Sequence, residues 1–330
     1  MKVPQRIIAI GGSAGALEAI DTLIGQLPTG LPATIFVVQH MAPENTGEAL
    51  LHRLRKYRAF QAKLAEDEEI FEPGRIYVAR PDYHMLVKKS RILVTKGARE
   101  NRYRPGIDPM FRSAAVNHGP RVIGVIITGM LNDGTAGLEA VKRCGGITVV
   151  QDPEDATYPD MPRSALTNVA VDHCTSLAGM GRLLEELTLA SPPKRVPVPK
   201  DIATEAEIAE RVLSDVSQVN TLGDQAPYNC PNCGGVLWEV RQSDTQRYRC
   251  HTGHSFTAHS LLSGQSERIE ETLWVSLRMF EERKNLLNTM ASRENGRSVK
   301  KIYLDRAKET QVHIERIRAM LNAPGVASDS

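Results

Sequence analysis

The chain has 330 residues, which at roughly 100–200 residues per domain suggests two or three domains. Hydrophobic residues at 41% and charged residues at 24% exclude a wholly disordered or collagen-like chain, and no run approaches the ~18 apolar residues of a membrane-spanning helix. A net charge of +2, from 41 Lys+Arg against 39 Asp+Glu, argues against nucleic acid as the main partner.

The amino terminus runs straight into a short apolar strand without the apolar core of a secretory signal, so a cytoplasmic location is expected. Short β-branched runs at Ile7–Ile10, Ile35–Val38, Val122–Ile127 and Ile147–Val150 read as buried strands. Helical periodicity falls between and after them, at about 16–27, 46–57, 109–118, 134–144, 163–169 and 180–189. Asp108-Pro109 reads as a helix start, with Asp as N-cap and Pro at the first helical position. His118 would then end that helix as a cation. Strands alternating with helices predict an α/β fold, a doubly wound, mostly parallel sheet with helices on both faces. Arg75–Ala79, Met85–Lys88 and Arg91–Thr95 are closely spaced and read as an antiparallel hairpin.

This α/β domain should span 1–190 and end at the proline-rich linker 191–203. A helix at 204–218 and a Cys/His-rich module would occupy 204–265. Apolar positions Ile269, Leu273, Leu277 and Phe280, then a break at Asn295-Gly296, predict a helical hairpin over 266–330 with a short disordered tail.

The first strand runs into Gly11-Gly12-Ser13-Ala14-Gly15-Ala16. A glycine turn between strand and helix can bind phosphate, but both the dinucleotide fingerprint and the P-loop fail here. What fits is G-x-S-x-G, which holds a serine oxygen out at a sheet edge. A glycine-rich loop with a chance serine fits too. A serine nucleophile needs a base, and the base an orienting acid. In a doubly wound sheet the loops after the strands gather on one rim. His40 follows the second predicted strand and Asp133 lies just beyond Val122–Ile127. Each has a bland alternative: a satisfied structural histidine, and an N-cap for the helix after Gly134. The chain order Ser, His, Asp is not that of an α/β-hydrolase.

The stretches IIAIGGSAGALEAI, IFVVQHMAPENTGEALLHRL, PGRIYVARPDYHMLV, NRYRPGIDPMFRSAA and GVIITGMLNDGTAGLEAV resemble the catalytic domain of the CheB-type protein-glutamate methylesterases, collinearly over about 5–188. The resemblance implies Ser13 as nucleophile, His40 as general base and acid, and Asp133 as the residue orienting His40. It implies an oxyanion site at the amides of Ala14 and Met130. The implied reaction is hydrolysis of glutamyl γ-methyl esters on bacterial chemoreceptors through an acyl-enzyme, with glutamine deamidation as a second activity. No cofactor is implied for catalysis. Only about six residues precede the first strand, so the receiver domain of familiar members is not expected, and activity should not respond to phosphodonors. Ala14 and Ala16 also replace residues often hydroxylated or glycine in the family. His84 reads as structural. Arg99, Arg102 and Arg104 form a basic loop, a solvated face or a surface for an acidic receptor coiled coil.

Of five cysteines, Cys144 and Cys174 read as buried thiols. Cys230-Pro231-Asn232-Cys233 and Cys250-His251-Thr252-Gly253-His254 read as two zinc knuckles. Cys230, Cys233, Cys250 and His254 are the expected ligands, with His251 the alternative to His254, and strands at Val236–Arg241 and Arg247–Cys250 between them. The zinc would be structural and separable from catalysis, so a 1–190 fragment should keep its activity on a small ester. The C-terminal helices would offer a surface to a signalling partner. The competing function is a catalytically degenerate scaffold recruiting partners through module and helices.

Overall fold

Seven strands form one parallel sheet in the computed structural model, which describes residues 5–211, 216–242 and 245–323. In chain order the elements begin β1 (Arg6–Gly12), α1 (Ala16–Gln26), β2 (Ala33–Gln39), α2 (Glu48–Arg55), β3 (Gln61–Leu64) and β4 (Arg75–Val78). An antiparallel pair follows, β5 (His84–Val87) and β6 (Ile92–Thr95). Then come α3 (Ile107–His118), β7 (Val122–Ile126), α4 (Thr135–Arg143), β8 (Ile147–Gln151), α5 (Asp160–Asn168), β9 (His173–Thr175) and α6 (Leu177–Leu189). The sheet order is β3-β4-β2-β1-β7-β8-β9, and every pairing in it is parallel. This is the predicted α/β fold.

Successive strand residues point to opposite faces, and the core divides accordingly. Ile7, Ala9, Phe36, Val38, Val122 and Ile126 join one cluster with α3, α4 and α5. Ile8, Ile10, Ile35, Val37, Ile123 and Val125 join the other with α1, α2 and α6. Both faces are covered, which is why these strands read as unbroken apolar runs.

Several local expectations change. Arg75–Val78 is β4, a parallel strand between β2 and β3, and only β5 and β6 make the hairpin. The short strands β3 and β9 carry no strong apolar run and were not foreseen. α3 begins at Ile107 after Gly106, so Asp108 and Pro109 lie inside its first turn rather than at its edge. His118 does end α3, but burial pushes its pKa down to about 4, so it is neutral there. Lys88 O lies 2.8 Å from its Nε2, and Arg121 donates to its Nδ1 at 2.7 Å. Cys144 is buried, which pushes its thiol up to about 11, whereas Cys174 is exposed.

After α6 the chain continues through α7 (Lys200–Arg211), α8 (Val216–Asn220), β10 (Gly223–Asn229), β11 (Val236–Val240), β12 (Arg247–Cys250) and β13 (Ser255–Thr257). Part of the helix expected at 204–218 lies outside the described residues. The last four strands form an antiparallel sheet in chain order, wider than the predicted two-stranded ribbon.

The module does not stand apart from the layers of the main sheet. Val198 of the proline-rich segment and Ile202 of α7 pack into the α3 face of the main core. Arg143 of α4 pairs with Asp201 at 2.7 Å. Buried Glu205 of α7 accepts from Arg247 and Arg249 of β12, and Arg249 also pairs with Glu100 at 3.0 Å. Glu100 in turn accepts from Arg112 of α3 at 2.7 and 2.9 Å. Charges this deeply buried persist only when paired. The chain accordingly falls into two compact units, Met1–Ser260 and Leu261–Ser330.

The last helices are α9 (Ala258–Arg293) and α10 (Arg297–Asn322), broken at the expected Asn295-Gly296. Within this unit Phe280 stacks on His313 at 5.4 Å, and Arg318 pairs with Glu281 at 3.0 Å. No helix among the described residues is long and apolar enough to cross a membrane.

Candidate active site

β1 lies between β2 and β7, at the point where successive connections begin to run in opposite directions across the sheet, which is where such folds bind ligands. Ser13, His40 and Asp133 follow these three strands, and the structure brings all three together. His40 Nδ1 lies 3.1 Å from Ser13 Oγ, and His40 Nε2 lies 2.8 Å from Asp133 Oδ2.

Backbone bonds hold nucleophile and base in place. The His40 amide donates to Gly12 O at 3.1 Å, and the Ser13 amide donates to Thr128 O at 3.1 Å. The glycines around Ser13 are required by space and conformation. A Cβ on Gly11 would stand 2.3 Å from Ile107 Cγ2, and Gly15 has φ +74°. Gly129 packs directly under the serine: a Cβ there would lie 2.1 Å from Met161 Sδ and 2.9 Å from Ser13 Cβ. Thr128 Oγ1 donates to Ala14 O at 3.1 Å, linking the two loops. The amides of Ala14 and Met130 have no hydrogen-bond partner among the described residues, so both remain available as donors.

Asp133 is fully buried. Burial alone raises its pKa, but hydrogen bonds and charge from His40, with donors at Ile107 N (2.7 Å) and Asn101 Nδ2 (3.0 Å), hold the carboxyl below its usual range. It therefore stays ionised and accepts the Nε2 proton of His40. That leaves Nδ1 as a lone-pair acceptor facing the serine hydroxyl. Neighbouring Asp108 moves the other way: burial and the Asp133 charge push its carboxyl above the usual range. Asp133 is not a side-chain N-cap. The cap of α4 is Gly134, whose amide donates to Asp133 Oδ1 at 3.0 Å.

Two further residues were not singled out from sequence. Tyr103 stacks flat on the His40 ring, centroids 3.6 Å apart at 12°. It is presented by a turn closed by mutual backbone bonds between Glu100 and Tyr103. Asn101, in the same turn, has φ +48° and touches Asp133. Only tertiary structure reveals either. The basic loop is part of the site: Arg99, Arg102 and Arg104 line a cavity of about 300 Å³ with His40, Met41 and Tyr103. Arg104 is braced by Asp82 at 2.6 Å. His84 is structural. It is buried and neutral, with burial lowering its pKa; its Nε2 lies 2.9 Å from Ala98 O, and the Gly106 amide donates to its Nδ1.

In the module, ligand atoms of Cys230, Cys233, Cys250 and His254 all lie within 4.8 Å of one another, a cluster able to hold a metal ion; His251 is not among them. Cys233 Sγ and Cys250 Sγ are 3.8 Å apart, and Cys250 Sγ is 3.5 Å from His254 Nδ1. A tetrahedral zinc with Zn–S of ~2.3 Å and Zn–N of ~2.0–2.1 Å sets these separations at ~3.8 and ~3.5 Å. Each loop closes on itself, by Gly234 N to Cys230 O (2.8 Å) and Gly253 N to Cys250 O (3.0 Å).

The CheB methylesterase family model matches residues 8–184. A Leptospira interrogans protein, named provisionally as a protein-glutamate methylesterase/protein-glutamine glutaminase, is 39% identical over 181 residues, 54% of this chain and 93% of that one. The protein-glutamate methylesterase/protein-glutamine glutaminase of Photorhabdus laumondii is 37% identical over 182 residues, and there the match spans only 51% of the relative. The Thermotoga maritima CheB methylesterase catalytic domain superposes with a TM-score of 0.54 at 34% identity, covering 56% of this chain and 100% of that one. On the family match, the parallel sheet and these relatives together, the chain belongs to the CheB methylesterase family.

Proposed function

We propose that this hydrolase removes the methyl group from glutamyl γ-methyl esters on chemoreceptors through Ser13, His40 and Asp133. The observation that carries this is the continuous chain Ser13 Oγ, His40 Nδ1, His40 Nε2, Asp133 Oδ2, with separations of 3.1 and 2.8 Å, beside an open cavity.

In this reading His40 Nδ1 takes the proton of Ser13 as Oγ bonds to the ester carbonyl carbon. The new imidazolium is stabilised by ionised Asp133. The oxyanion is held by the amides of Ala14 and Met130, the former beside the N-terminus of α1. His40 returns its proton to the departing methoxy oxygen, and methanol leaves a Ser13 acyl-enzyme. Water then gives a proton to His40 and its oxygen to the acyl carbon. Ser13 recovers the proton, and glutamate is released. With glutamine the same sequence would expel ammonia.

The arginines of the rim suit an acidic stretch of receptor helix around the ester, on the cytoplasmic side. Cys230, Cys233, Cys250 and His254 would hold zinc with a structural role, since four protein ligands complete its tetrahedron. The helices beyond 266 are read as a surface for a signalling partner. The direct test is methanol release from methylated receptor membranes by wild type and Ser13→Ala. Equal release by both sinks the reading.

A further inference from the structure

We propose that Asn101 is a positioning residue for the esterase, and that the Cys/His module holds it there. The module would thereby act on the active-site acid. This rests on the reading of Asp133 as the residue that orients His40.

Asn101 is buried and bonded on both sides. Its Nδ2 donates to Asp108 Oδ2 at 2.8 Å and to Asp133 Oδ1 at 3.0 Å. Its Oδ1 accepts from the Thr257 amide at 3.1 Å and lies 3.2 Å from Ser260 Oγ. Its own amide donates to Ser255 O at 2.8 Å. The side chain thus bridges β13 and the acid.

The direction of the bridge is fixed by chemistry. A backbone N–H can only donate, so the Thr257 amide requires the oxygen of Asn101 to face the module. The NH₂ group must then face the carboxylates. Turned over, Asn101 would set an oxygen against ionised Asp133 and an NH₂ against an N–H. The left-handed backbone at Asn101 is tolerated by asparagine better than by most residues, but it needs the surroundings to hold it.

What holds it is the second metal loop. Ser255 directly follows His254, and Arg249 directly precedes Cys250. Arg249, fully buried, pairs with Glu100, the residue before Asn101. Asn132, the residue before Asp133, donates to Thr257 Oγ1 at 2.8 Å. Both flanks of the Cys250–His254 loop therefore end on the turn and the loop that carry Asn101 and Asp133. A metal that fixes this loop fixes the donors which orient Asn101.

The consequence is electrostatic. Without Asn101, Asp133 loses an N–H donor and its charge is less compensated. An imidazolium at His40 is then favoured. The other charged and titratable groups around His40 are Tyr103, Arg99, Arg102 and Arg104, together with Asp108 and Glu100 behind Asp133. His84 also lies within the field of Asp133. Of all these groups only Asp108 touches the Asn101 side chain, and it loses that 2.8 Å bond in Asn101→Ala along with Asp133.

The test uses the full chain and a small activated ester. Asn101→Ala should lower kcat about 10- to 100-fold with KM changed less than about threefold, and the acid limb of its pH–rate profile should move to higher pH. Ser260→Ala should give a smaller shift in the same direction. Cys233→Ser should lose bound zinc, measured by elemental analysis, and move the same limb. The Asn101→Ala/Cys233→Ser double variant should be no worse than the poorer single variant. A drop in kcat with an unmoved profile would make Asn101 merely structural and overturn the proposal. Additive losses in the double variant would sever the module from the acid and overturn it too. Asp133→Asn, run alongside, separates the two readings: if it keeps wild-type turnover, the triad itself is wrong, whatever Asn101 does.

Discussion

His40 presents Nδ1 to Ser13 at 3.1 Å and Nε2 to Asp133 at 2.8 Å, so the nitrogen nearer its own backbone faces the nucleophile. Ser13→Ala and His40→Ala are each expected to remove nearly all ester hydrolysis. Asp133→Asn should lower kcat by on the order of 10⁴, because an amide facing Nε2 favours the wrong tautomer. Circular dichroism should show an intact fold in the first two. Steady-state turnover on methylated receptor checks all three.

Gly129 offers a test of the same site without touching its chemistry. Gly129→Ala should press on Met161 Sδ and Ser13 Cβ, both closer than side chains approach. The serine moves, and displacement of about 1 Å can cost ~10²-fold. Turnover should fall by about that factor while the chain still folds, as read by a cooperative melt.

The buried arginines should matter for stability more than any surface pair. Arg249→Ala leaves Glu100 and Glu205 short of a counter-charge, a loss of about 3–5 kcal/mol. A drop below ~1 kcal/mol in urea unfolding would mean that water reaches these groups.

Acid should act on the same cluster. Burial pushes Glu100 and Glu205 up, but the facing guanidiniums of Arg112, Arg247 and Arg249 outweigh it and hold both below their ordinary range. The unfolded chain then binds these protons first. Their contribution is present above the unfolded value of ~4.3 and is lost as pH falls below it. Melting temperature should drop steeply below about pH 4. Glu205→Gln should be less stable at pH 7 and flatter toward acid.

Metal content should follow the cluster. Purified protein is expected to hold about one zinc per chain, Cys233→Ser almost none, and His251→Ala the full amount. Zinc retained in His254→Ala but lost in His251→Ala would assign the fourth ligand the other way. A 1–190 fragment is expected to melt lower than the full chain and to turn over a small ester more slowly. It lacks α7, whose Ile202 sits in the main core, and β13, which anchors Asn101.

The parallel sheet was legible because β1, β2, β7 and β8 are buried on both faces and so read as apolar runs. Their ends placed Ser13, His40 and Asp133 on one rim before any contact was known. β4 was misread because the strands that closely follow it form a hairpin, while its partners in space, β2 and β3, precede it and β3 carries no apolar run to announce itself. Asn101 and Tyr103 were invisible for a related reason. One derives its role from Thr257, over 150 residues away, and the other from a turn that stacks it on His40. The metal ligands were legible because knuckle spacing is local. The docking of their module was not, since it depends on Arg247 and Arg249 meeting a carboxylate on α7.

The backbone bond from His40 to Gly12 ties the base to the strand of the nucleophile, while Asp133 is also held through Asn101 and Asn132 to β13. Nucleophile and base follow adjacent parallel strands whose register is that of the sheet itself. The acid arrives on a loop tied to a separate layer. Damage should therefore spread unevenly. Heat or a poorly folded module should loosen Asp133 while Ser13 and His40 stay paired, giving a slow esterase before an inactive one. A covalent serine probe would keep labelling Ser13, at reduced rate, over the range where turnover on receptor has already failed.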